Sequence, residues 1–100
     1  MSYADEISAA RRLTILLMLS FSSGYTLNRA ALRTQVERTG YVTSIDLMAS
    51  ECAWLAEMGL VEQLEMDAVR LTDRGEDTAL GRSQTPGVRR PSPGENHGPR

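Results

Sequence analysis

The sequence predicts a mainly α-helical domain with a small β-hairpin, ordered as a winged helix-turn-helix, and three observations lead there. Apolar side chains recur at helical spacing in three separate stretches before residue 60. Gly24, Gly40 and Gly59 follow those stretches, where helices commonly end on a left-handed residue. Over residues 60–71 the period then shortens, as two short strands require.

The first helix spans about residues 4–22. Ile7, Ala10, Leu13, Leu17 and Phe21 form its main stripe, and Ile15, Leu16 and Leu19 add apolar side chains beside it. Such a helix is covered on more than one side, so it is central or sits in a dimer interface. "RRLTILLMLSFSSG" has the outline of a secretory signal, but Asp5 and Glu6 spoil the basic start and helical spacing begins before the apolar run. The run is also far short of the ~20 residues a membrane span needs. It reads as a core helix.

"GYTLN" is then a short extended link, and Asn28 caps a second helix with Ala31, Leu32 and Val36 inward. Thr43 opens the third helix, with Thr43-x-x-Asp46 as an approximate capping box, and Met48, Cys52 and Leu55 as its core stripe. Helix, Gly-containing turn and helix at this spacing read as a helix-turn-helix. Leu60, Leu64, Met66, Val69 and Leu71 suit a hairpin turning near Asp67, the wing. Asp73 and Glu76 cap a last short helix reaching Leu80 and closed by Gly81. The domain is thus residues 1–82. Residues 83–100 hold all four prolines and almost nothing apolar, so this tail is expected to have no fixed structure on its own.

Charge bears on function more than the fold does. All eleven basic residues are Arg, and the net charge is −2. Residues 1–82 hold eight Arg against twelve acids, and residues 83–100 three Arg against one. A winged helix that grips DNA places Arg or Lys on its third helix and wing, because phosphate neutralisation supplies most non-specific affinity. Here the third helix carries Asp46, Glu51 and Glu57 and no base, while the wing sets Glu62, Glu65 and Asp67 against Arg70. Side chains that could still meet DNA are Arg29, Arg33, Ser44, Ser50 and Arg70, with Arg89 and Arg90 in the tail. For Ser44 the competing role is helix capping. Leu47, Trp54 and Met58 make a second apolar stripe on the third helix, a candidate protein interface, although Trp54 could simply cover the wing or the first helix.

No arrangement suggests catalysis, a cofactor or a metal. The adjacent acids Asp5-Glu6 and Glu76-Asp77 have no convergent partner, and no Gly-rich loop follows a strand. Cys52, the only cysteine, lies in an apolar helical pattern and suits a reducing compartment; His97 is far off in the tail.

"WLAEMGLV" and "VRLTDRGEDTAL" resemble the Leu-x-x-x-Gly-Leu-Val and Leu-Thr-x-x-Gly-x-x-x-Ala signatures of ArsR- and MarR-like regulators. With "RRLTILLMLS", "GYTLN", "LTDRGEDTALGR" and "PGVRRPSP", nearly the whole chain resembles a family of small proteins of Mu-like phages and prophages, often labelled ArsR-like. That resemblance implies a phage-derived winged helix encoded near head and DNA-packaging genes, working in the cytoplasm of a bacterial host. It implies no particular activity. The leading expectation is a protein-interaction module bound to a phage protein or to itself, with no membrane contact. The alternative is a DNA-binding regulator or packaging accessory, which the acidic third helix and wing disfavour.

Overall fold

A computed structural model describes residues 2–97. Four helices surround one small sheet: α1 (Tyr3–Ser20), β1 (Thr26–Asn28), α2 (Arg29–Arg38), α3 (Ile45–Glu57), β2 (Val61–Gln63), β3 (Ala68–Leu71) and α4 (Asp73–Ala79). The sheet is antiparallel in the order β1-β3-β2, with Leu27 opposite Val69 and Glu62 opposite Arg70. The expected hairpin is therefore two strands of a three-stranded sheet. "GYTLN", read as a link, supplies the third because its backbone pairs with β3, some forty residues on, a partner that no local pattern reveals.

Burial explains why α1 has apolar residues on several faces. Leu13, Ile15, Leu16 and Leu19 are fully buried, and the helix packs against α2, α4 and β3. Ser2 caps its start by accepting from the Asp5 N–H, and the Asp5 carboxylate accepts from the Ser2 N–H in return. Leu32 and Val36 of α2 point inward as expected, whereas Ala31 is exposed.

Two caps fall one residue from where the sequence suggested. Ser44, not Thr43, caps α3, its hydroxyl accepting from the Leu47 N–H at 3.0 Å. Thr43 is instead buried, with its hydroxyl on the Tyr41 carbonyl. Thr72, not Asp73, caps α4 by accepting from the Gly75 N–H at 3.0 Å. In both places a neighbouring hydroxyl at extended backbone does what the notional box would have done. Gly75 also lets α4 sit on the start of β2, since a Cβ there would lie 2.0 Å from the Leu60 carbonyl oxygen.

Residues 83–97 differ from the expectation of a tail without structure: they form a strap across α1 and α4. Thr85 and Val88 are buried, the Arg89 N–H donates to the Ala9 carbonyl, and the Asn96 amide donates to the Leu80 carbonyl. The strap is held by hydrogen bonds of backbone groups and of Arg12, Thr78, Thr85 and Asn96, so composition gives no sign of it. Among the described residues no helix is long and apolar enough to cross a membrane.

Candidate interaction surface

The amphipathic pattern of α3 gives it a buried side and an outer side of very different chemistry. Met48, Cys52 and Leu55 are buried in the core. Outward stand Ile45, Asp46, Ser50, Ala53 and Glu57, all exposed. The half-buried Leu47, Trp54 and Met58 lie between these sides, and Trp54 and Met58 pack against the core.

Glu51 does not belong to the outer side, although the sequence reading placed it with the acids that phosphates would meet. It is 4% exposed and bound by two arginines of α1: Arg11 Nη1 lies 3.1 Å from one carboxylate oxygen and Arg12 Nε 3.0 Å from the other. An ionised carboxylate is tolerated there because both its oxygens are paired. Arg12 also donates to the Gly87 carbonyl and lies over the Trp54 ring, 4.0 Å from its centroid. Gly87, at φ +92°, completes the stack, since a Cβ there would come within 2.9 Å of the same ring. Trp54 therefore joins α3 to α1 and to the strap. The pair Arg11-Arg12 at the start of the apolar run of α1 was the signal that a buried acid should answer it.

The arginines proposed to meet DNA are largely engaged with the protein itself. Arg29 pairs with Asp67 at 3.4 Å. Arg33 donates to the Thr43 carbonyl at 2.7 Å and lies 3.5 Å from Glu37. Arg70 pairs with Glu62 at 3.2 Å, and Arg89 with Glu95 at 2.7 Å. Arg29 and Arg33 share a depression of about 270 Å³ with Asn28, Ile45 and Asp67. Arg89 and the exposed Arg90 instead line a separate cleft beside Arg12. The two basic sets do not converge on one face. Ser44 is occupied as a cap, and Ser50 is exposed.

Two features escaped sequence reasoning. Val42, Ile45 and Met66 are 85%, 68% and 91% exposed. Ile45 keeps core spacing with Met48 and Cys52 but overhangs, because α3 starts at that residue. Met66 sits in the turn between β2 and β3, where Met66 and Asp67 have φ of +60° and +58°. The Ala68 N–H closes that turn on the Glu65 carbonyl. Burial pushes the Cys52 thiol up to about 11, with Arg29 opposing, while Glu95 is lowered. At Glu95 desolvation would raise the value, but the Ser92 N–H and the Arg89 guanidinium outweigh it. Among the described residues no three side chains are grouped to hold a metal ion.

No protein-family model matches the chain, and no solved structure matches it. Over 92 residues it is 37% identical to the uncharacterized protein gp26 of Escherichia phage Mu, an alignment covering 89% of this chain and 95% of that protein. With both chains aligned over most of their lengths, this chain belongs to the family of the phage Mu protein gp26.

Proposed function

We propose that this chain is a non-catalytic winged-helix protein that serves as a protein-binding module in a phage assembly. The element order and the β1-β3-β2 sheet support the winged helix, with α3 in the place of a recognition helix. The observation that carries the function is the chemistry of that helix and the hairpin. Outward they offer Asp46, Ser50, Glu57, Glu62, Glu65 and Asp67, while the nearby Arg29, Arg33 and Arg70 are tied to acids. A phosphate approaching this face meets like charge, and freeing an arginine to greet it would break an existing pair. The same face exposes apolar side chains, which favour a protein partner. Relationship to a phage protein is the ground for seeking such a partner among phage components.

Titration of a mixed-sequence duplex with the full chain at rising salt tests the reading. Weak binding with a shallow salt slope agrees with it, whereas tight binding with a steep slope makes the chain a DNA-binding protein.

A further inference from the structure

Of the five large apolar side chains that are exposed among the described residues, Ile45 lines one depression, and Val42 and Met66 lie on chain segments that adjoin it. Ile45 lines it together with Asn28, Arg29, Arg33 and Asp67. Met66 precedes Asp67 in the turn, and its carbonyl lies 3.5 Å from the Asn28 side-chain amide. Val42 adjoins Thr43, whose carbonyl is held by Arg33. The turn adds an independent observation. Two successive residues other than glycine at positive φ are disfavoured, and Asn-Gly is the pair that adopts this backbone readily. The chain instead places there a methionine that is almost wholly in solvent. Strained backbone of this kind clusters at binding and switch sites, and methionine is a side chain that adapts to varied partner surfaces.

The border of the patch indicates what covers it. Arg29 and Arg33 are neutralised by Asp67 and Glu37. Asp46 and Glu65, both exposed, have no ion-pair partner among the described residues. An apolar patch with an acidic border complements an apolar surface flanked by cations. We propose that Val42, Ile45 and Met66 form the docking site for a basic amphipathic segment of a partner protein. This rests on the protein-binding reading above and adds the place and the partner's chemistry.

The test uses the full chain, isotopically labelled, and two synthetic amphipathic helical peptides of equal length with the same leucine face, one with a lysine polar face and one with a glutamate polar face. The lysine peptide should shift the amide signals of residues 42–46 and 65–68 saturably, and the glutamate peptide should bind at least about tenfold more weakly. Ile45→Ser combined with Met66→Asn should weaken the lysine peptide about tenfold. Both replaced side chains are exposed and asparagine suits the turn, so the fold survives; unchanged shifts elsewhere check this. Saturable shifts at another surface, equal affinity for both peptides, or no saturable binding would overturn the site. Self-association that the same double variant abolishes would overturn the occupant. Displacement of shifts along α3 by a duplex DNA would instead overturn the protein-binding reading itself, so the two failures are distinguishable.

Discussion

Arg12 lies over Trp54 with its guanidinium carbon 4.0 Å from the ring centroid while its Nε donates to Glu51 at 3.0 Å. One side chain thus joins a buried carboxylate to the aromatic ring on which the strap rests. Removing the Glu51 charge leaves Arg11 and Arg12 facing each other without an anion, in a place where Arg11 Nε already lacks a partner. Glu51→Ala should therefore destabilise the domain by about 3 kcal/mol, measured by urea unfolding. Replacing Arg11 with methionine in the same chain should recover part of the loss, since it removes the more deeply buried unpaired charge and leaves the Arg12 contacts to Trp54 and Gly87 in place. A loss below about 1 kcal/mol would show that the triad contributes little.

The strap should lift when its closest backbone approach is blocked. Gly87→Val puts a branched side chain against the Trp54 ring and at a φ of +92°. The emission of Trp54, the single tryptophan, should move to longer wavelength, and exchange of the Arg89 amide should quicken because its bond to the Ala9 carbonyl is lost. Both observables staying unchanged would mean that the strap does not depend on this contact.

Much of the frame was legible in the sequence, and the misses share a cause. The apolar stripes of α1 and α3 and the glycines past α2, α3 and α4 are local signals, and Gly40, Gly59 and Gly81 all have positive φ. What was missed depends on distant partners. β1 is a strand only because β3 is beside it, and Glu51 is buried only because Arg11 and Arg12 reach it from α1. The strap was missed because its anchors, among them the carbonyls of Ala9 and Leu80 and the side chains of Arg12 and Thr78, lie on α1 and at the end of α4 and carry no local signature. At the candidate surface, the acidity of α3 and the hairpin was legible from Asp46, Glu57, Glu62, Glu65 and Asp67. The exposure of Ile45 was hidden by its core spacing.

The turn between β2 and β3 should be more stable with a residue suited to it. Met66→Asn removes a side chain that buries almost nothing and substitutes one that tolerates φ near +60°. Thermal or urea unfolding should show stabilisation of up to about 1 kcal/mol. A destabilised variant would mean that Met66 contributes to the fold itself, not only to the surface.

Two groups set opposite pH limits. The Cys52 thiol is raised to about 11 by burial, so the folded state favours the protonated form. Its contribution is full below the ordinary thiol value and is lost as pH rises from there toward 11. At neutral pH a thiol reagent should therefore react with Cys52 only as fast as the domain opens. Glu95 is lowered despite the opposing desolvation, by the Ser92 N–H and Arg89, so its contribution is present above the ordinary glutamate value and is lost as pH falls through its folded value. The Arg89–Glu95 contact should open in that acid window, seen as faster exchange in residues 89–96, and Glu95→Gln should remove the pH dependence.

If the outer side of α3 is a protein surface and not a DNA grip, a paired anisotropy titration of one labelled duplex should separate the native chain from a basic variant. The unaltered chain should bind weakly at physiological salt with a shallow salt slope. A chain carrying Asp46→Arg, Ser50→Arg and Glu57→Arg, all at exposed positions, should gain affinity and steepen the slope by about 0.9 for each new phosphate contact. Nanomolar, sequence-selective binding by the unaltered chain at physiological salt, lost on Ser50→Ala, would contradict the account.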